Sequence, residues 1–158
     1  MNGLGILAVA GGILAVFALF GLVFYIIGAI AISKALKVVE YKYPWFAWFP
    51  VLNIFALSDA AFDDDEDAKN ILFNKVSIPK EIAKFWFILY VVLMAIPKVG
   101  SYLAMIVMIL VMGPAYALLY AKIEQKTIED TRVLGYVSAF IPVIPVFKWL
   151  GIKLHKEV

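Results

Sequence analysis

Residues 4–33 read LGILAVAGGILAVFALFGLVFYIIGAIAIS, thirty consecutive positions without one charged side chain. As a helix rising 1.5 Å per residue, such a run is about 45 Å long. The hydrocarbon of a bilayer is about 30 Å thick, so the stretch predicts a transmembrane helix with length left for tilt or an exposed end. Only Met1-Asn2-Gly3 precedes it, without a basic residue, and it runs about twice the length of a signal-peptide core. The expectation is therefore a retained anchor.

The remainder of the 158 residues keeps this character, since 65% of the chain is hydrophobic, against roughly 45–50% in soluble domains. A net charge of +2, with lysines scattered through several segments and no Arg-rich groove, argues against nucleic acid as a partner. The absence of cysteine removes disulfides, thiolate chemistry and Cys-ligated metals. A single histidine, His155, excludes a multi-histidine metal centre, and no cofactor is expected.

Between residues 85 and 121 the chain is again apolar apart from Lys98, where Pro97, Gly100 and Ser101 supply turn chemistry. The pattern predicts a helical hairpin with arms at 82–97 and 99–121. Lys84 on the first arm would snorkel toward headgroups, and Gly113-Pro114 should kink the second arm. Ser77-Ile78-Pro79 has the order of a helix start, with Ser as cap and Pro in the first turn.

Two more apolar stretches, 44–62 and 133–150, are short and interrupted by proline. The positive-inside rule arbitrates. If neither crosses, three spans place every Lys and Arg except Lys98 on one side; if both cross, the bias shrinks to an even split. The preferred fold is thus all-α and integral to the membrane, one domain over 1–158, with spans at 4–33, 82–97 and 99–121. An acidic cytoplasmic loop at 63–81 and two re-entrant or interfacial segments complete it, with the N-terminus outside the cell membrane and the C-terminus cytoplasmic.

The two short stretches also match each other. Ala47-Trp48-Phe49-Pro50-Val51-Leu52-Asn53-Ile54-Phe55 aligns with Ala139-Phe140-Ile141-Pro142-Val143-Ile144-Pro145-Val146-Phe147, either by chance in an apolar chain or as a structural repeat. A proline centred in so short a segment favours a bent course, which needs protein or a wet cavity to satisfy its backbone. Trp45, Trp48 and Trp149, with Tyr41 and Tyr43, suit the headgroup zone.

Tyr43-Pro44-Trp45-Phe46-Ala47-Trp48-Phe49-Pro50-Val51-Leu52-Asn53, followed later by Leu134-Gly135-Tyr136, Phe140-Ile141-Pro142 and Leu150-Gly151-Ile152, resembles a family of small bacterial multi-pass membrane proteins. That family has one helix, a Trp/Pro/Asn segment, a helical hairpin and a Gly-aromatic-Pro end, and some members are labelled signal-peptidase-like. The likeness covers most of the chain and implies topology. Residues 63–84 depart from it as an insertion, and no Ser and Lys here match a peptidase dyad, so proteolysis is not implied.

The sharpest polar feature is Asp63-Asp64-Asp65-Glu66-Asp67. It lacks the ligand spacing, central Gly and distal Glu of a calcium loop. A solvated loop, a docking site for a basic partner and a metal site are its three readings, in which partner binding is the functional one. Asp59 and Asn53 are candidates for an ion or proton site at membrane depth, against the plainer reading that Asp59 starts the acidic loop and Asn53 caps or turns the chain. Gly5, Ala8, Gly12 and Ala15 line one helix face where another backbone can approach. Residues 122–132 mix both signs of charge as a solvated linker would.

No Ser/His/Asp set, paired carboxylates, phosphate loop or HExxH occurs. The expected function is a non-enzymatic membrane subunit that binds lipid and other transmembrane proteins or its own copies. The alternative is a small channel or transporter whose broken helices line a cavity.

Overall fold

The computed structural model of the chain describes residues 3–63, 67–68 and 78–152, without the side chains of 3–8, 67, 68 and 78. Helix α1 runs over Gly3–Val38. A 3-10 turn, Pro44–Trp48, leads into α2, Pro50–Phe62. Two short strands, β1 (Asp67–Ala68) and β2 (Ile78–Pro79), pair antiparallel with Asp67 opposite Pro79 and Ala68 opposite Ile78. Helices α3 (Lys80–Lys84), α4 (Trp86–Met94), α5 (Gly100–Glu124), α6 (Ile128–Phe140) and α7 (Val143–Leu150) follow. Apart from that two-residue ladder, the described residues form an all-helical protein.

Among the described residues, two helices are long and apolar enough to cross a membrane, α1 and α5. The hairpin arm expected at 82–97 is divided instead, with a break at Phe85 between α3 and α4. Nine residues of α4 rise only about 14 Å, under half of a hydrocarbon core. The break has a tertiary cause: Trp86 is turned inward, 5% exposed, and its indole N–H donates to the buried Ser58 hydroxyl at 3.0 Å. Ser58 in turn meets the Met112 sulfur at 3.8 Å, tying α4, α2 and α5 together.

Two further boundaries differ from the sequence reading. Helix α5 continues through Pro114 to Glu124, and only the exposed Gln125 to Thr127 separate it from α6, so the solvated connection expected over 122–132 is confined to 125–127. Thr127 starts α6 by a reciprocal cap, accepting from the Asp130 N–H at 3.4 Å while its hydroxyl donates to the Asp130 carboxylate at 2.8 Å. The stretches 44–62 and 133–150 are broken next to their prolines, as expected, at Phe49 and Ile141. Pro79 precedes α3 instead of sitting in its first turn.

The core lies where the second half of α1 meets α2, α5, α6 and α7, with Leu36, Phe62, Leu119, Tyr120 and Trp149 fully or almost fully buried. Its closest contact is between α5 and α6. Gly113, Ala117 and Ala121 face Thr131, Gly135 and Ala139, two rows of small residues at four-residue spacing, all buried. A Cβ on Gly135 would stand 2.5 Å from the Gly113 carbonyl oxygen and 2.6 Å from the Ala117 nitrogen. Backbones this close allow the Thr131 hydroxyl to donate to the Ala117 carbonyl at 2.8 Å, and Tyr120 to share a 2.8 Å hydrogen bond with Ser138.

The matching stretches take matching courses. Each breaks one residue before its proline, at Phe49 (φ −119°, ψ 124°) and Ile141 (φ −120°, ψ 84°), and a short helix follows. Each is preceded by a long helix that ends at a non-glycine residue in the left-handed region, Glu40 (φ 56°) and Gln125 (φ 53°). In both endings an N–H reaches five residues back, Tyr41 to Leu36 at 2.9 Å and Lys126 to Ala121 at 3.1 Å. A tyrosine on each long helix bonds its own broken segment, Tyr25 to the Trp48 carbonyl and Tyr120 to Ser138.

The halves are then cross-tied. Helix α1 packs on α7 and α5 packs on α2. Lys34 of α1 donates to the Leu150 carbonyl at 2.8 Å, and Lys122 of α5 donates to the Ala60 carbonyl at 2.9 Å. Each ammonium thereby sits at the C-terminal end of the other half's short helix, where the helix dipole favours positive charge. These shared details make the sequence match a structural one. Because glycine pays no steric cost in the left-handed region, Gln125→Gly is expected to raise stability by about 1 kcal/mol, measured by denaturant titration in mild detergent.

Candidate functional site

Apart from Lys98, the charged side chains of the described residues gather at one end of the long helices. Beyond Val38 the left-handed turn at Glu40 redirects the chain, so that Tyr41 points back toward α2 and meets Asp59. The Tyr41 hydroxyl donates to Asp59 Oδ2 at 2.8 Å, and Lys84 of α3 forms an ion pair with Oδ1. The Lys84 contact is ionic instead of a well-directed hydrogen bond. Burial, then the hydrogen bond to Asp59, pushes the Tyr41 phenol well above its ordinary value, so it stays a donor throughout the neutral range.

Asp59 is therefore neither the first residue of a solvated loop nor an open ion ligand. Its side chain is 17% exposed and that of Lys84 14%, and each oxygen is committed within the protein. Lys84 does not snorkel toward headgroups, because Asp59 holds it. Asn53 lies six residues earlier on α2, about 9 Å along the axis, and the structure does not bring it together with Asp59.

A groove of about 490 Å³ opens beside this pair. Glu40, Tyr41, Lys42 and Tyr43 form one wall, Asp59, Ala60 and Asp63 of α2 and its end form another, and Lys122 of α5 closes the third. It thus sits where the two halves meet. Lys42 stands 5.0 Å from the centre of the Tyr43 ring, and Lys80 donates to the Asp63 carbonyl at 2.9 Å while its ammonium lies 3.7 Å from the Asp63 carboxylate. A second ionic cluster lies below α5, with Glu124 pairing Lys148 at 2.6 Å and Lys126 at 2.9 Å, and Lys148 lying 4.9 Å from the Tyr120 ring centre.

Of the acidic run, Asp63 is described and exposed; Asp64, Asp65, Glu66 and the side chain of Asp67 lie outside the described residues. Gly5 and Ala8 likewise have no described side-chain surroundings, whereas Gly12 and Ala15 are exposed and nothing approaches a Cβ built on Gly12 within 4 Å. No group of three or more metal-ligating side chains occurs among the described residues. Sequence reasoning missed Lys84, Lys122 and Tyr41 as partners of α2, since their contacts span 25, 62 and 18 residues respectively. It also passed over Gly113/Ala117 with Thr131/Gly135, whose four-residue spacing is visible in the sequence.

Fold and site together define an all-helical protein with two helices compatible with a membrane and one end carrying most of its charge. Compared with protein-family models, with curated proteins and with solved structures, the chain matches none.

Proposed function

We propose that this protein is a non-enzymatic multi-pass subunit of the cell membrane that packs against other transmembrane helices and offers its acidic segment, Asp63 to Asp67, to a basic partner in the cytoplasm. The observation that carries the reading is the outer half of α1. Leu14, Phe17, Leu19 and Phe20 are 69%, 70%, 63% and 60% exposed, and apolar side chains are open around the whole circumference. A helix apolar on every side belongs in lipid or among other helices. In α5, by contrast, half of the apolar window is buried against the rest of the chain.

The way the hairpin is closed supports a reading with three crossings. If α5 crosses, residues 80–99 must return across the same layer, because α3 is tied to α2 through Lys84 and Asp59 while Lys98 occupies the turn before α5. The break at Phe85 then lies within the descending arm. The charge bias supports an orientation with the N-terminus and Lys98 outside and the remaining lysines in the cytoplasm. The channel alternative draws no support from Asp59, which already has two partners inside the protein.

Gly12→Ile combined with Ala15→Leu is expected to remove the association while leaving the unfolding free energy within about 0.5 kcal/mol of the parent, because among the described residues nothing lies within 4 Å of a Cβ at Gly12 and Ala15 is exposed. Co-purification from mild detergent with native mass spectrometry reads both. A strictly monomeric protein that also keeps every partner after deletion of residues 63–67 would contradict the proposal.

A further inference from the structure

Each proline-broken segment leaves the charged end of the molecule and returns to it. In the first half, Val38 to Tyr43 lie at that end, beside Lys122 of α5. Tyr25 stands thirteen residues before Val38 on α1, about 20 Å along the axis, and bonds the Trp48 carbonyl one residue ahead of the break at Phe49. Helix α2 then runs back about 20 Å to Asp63 at the charged end. The second half repeats the course. Helix α6 leaves the end of α5 and runs back along it, Thr131 against Ala117 and Gly135 against Gly113, to the break at Ile141. Helix α7 returns, pairing Lys148 with Glu124 and bringing the Leu150 carbonyl to Lys34.

Both excursions stop about 20 Å from the charged end, which is near the middle of a bilayer whose hydrocarbon is about 30 Å thick. In that half α2, α6 and α7 lie beside the inner parts of α1 and α5. Beyond it, among the described residues, α1, α4 and α5 continue alone, and α1 is exposed at every position from Val9 to Phe24. A helix with its side chains is about 10–12 Å across, so two more helices make the charged half the broader one. The excursions turn large apolar side chains outward, Trp45 and Val51 in the first, Val133, Phe140 and Phe147 in the second, as a surface set in hydrocarbon does.

We infer that the protein is a wedge that favours bilayer bent with the charged-side leaflet convex, and that it gathers where the cell membrane bulges toward the cytoplasm. Bending enlarges the convex leaflet, and a body broad in that leaflet alone fills the added area. In a flat bilayer the same body deforms the lipid around it, which costs free energy. This rests on the membrane placement proposed above.

The test reconstitutes the full chain, as Lys126→Cys or as Lys98→Cys, into small sonicated and large extruded vesicles of one lipid. Both positions are exposed. An impermeant thiol reagent, applied before and after lysis, gives the fraction of each end that faces outward. The outer leaflet is the convex one, so the ratio of charged-end-out to charged-end-in protein is expected to be about threefold higher in the small vesicles. Lysophosphatidylcholine present during reconstitution gathers in the same leaflet and fills the same area. It should bring the ratio back toward its large-vesicle value.

A ratio that stays level or falls in small vesicles overturns the inference. So does a size dependence that lysophosphatidylcholine leaves unchanged, since the bulk of the charged segments outside the bilayer would then be its cause. Failure of the membrane placement reads differently: the protein would not float with vesicles of either size, or both cysteines would label from the same side.

Discussion

Gly135→Leu is expected to separate α6 from α5 and to cost about 3 kcal/mol or more, at or beyond the upper end of overpacking penalties. The alanine variant already places a carbon 2.5 Å from the Gly113 carbonyl oxygen and 2.6 Å from the Ala117 backbone nitrogen, positions that flexible side chains cannot vacate. The helices must therefore move apart. Doing so also lengthens the Thr131–Ala117 and Tyr120–Ser138 hydrogen bonds, which average about 0.6 kcal/mol each in membrane interiors. Gly135→Ala should fall near 2 kcal/mol by the same reasoning. Tryptophan fluorescence during denaturant titration in detergent reports the change, since Trp149 is buried against Tyr116 and Tyr120 at ring distances of 5.7 and 5.9 Å. Parent-like stability of the leucine variant would show that α5 and α6 are not packed this closely.

The second large effect is at Asp59. Asp59→Ala leaves the Lys84 ammonium largely buried without its carboxylate and removes the acceptor of Tyr41. Breaking one side of a buried pair costs about 3–5 kcal/mol, and the residual water contact of both side chains places this one near 3 kcal/mol. Lys84→Met in the Asp59→Ala background should recover a substantial part, because the stranded charge, not the lost attraction, dominates the penalty. A double-mutant cycle measures it. If both single variants and the double lie within about 0.5 kcal/mol of the parent, the pair contributes nothing and the groove beside it has no fixed wall.

What the sequence discloses here follows the range over which each cause acts. The first helix was legible because thirty uncharged residues are a local fact, and α1 covers them with one residue added at the start and five at the end. The turn at Lys98 was legible for the same reason. The arm before it was not, since the break at Phe85 depends on Trp86 finding Ser58 twenty-eight residues earlier. Lys84 looked like a headgroup-seeking lysine in isolation, and became a partner of Asp59 only once α2 and α3 were adjacent.

Other signals were present and went unread. Thr127 three residues ahead of Asp130 has the order of a reciprocal helix cap, although the mixed charges around it suggested a linker. The four-residue spacing of Gly113 with Ala117, and of Thr131 with Gly135, marks a close helix crossing. The paired proline stretches show how much a weak sequence match can carry. Their shared breaks, left-handed endings and reciprocal lysine contacts became visible only in three dimensions.

The membrane account turns on Lys98 and the charged end lying on opposite sides of a bilayer. The chain has no cysteine of its own, so single replacements at Lys98 and at Lys126 give clean reporters. With a membrane-impermeant thiol reagent on intact cells, Lys98→Cys is expected to label at once and Lys126→Cys only after permeabilisation. Labelling of both positions before permeabilisation, or of Lys126→Cys alone, would contradict the account.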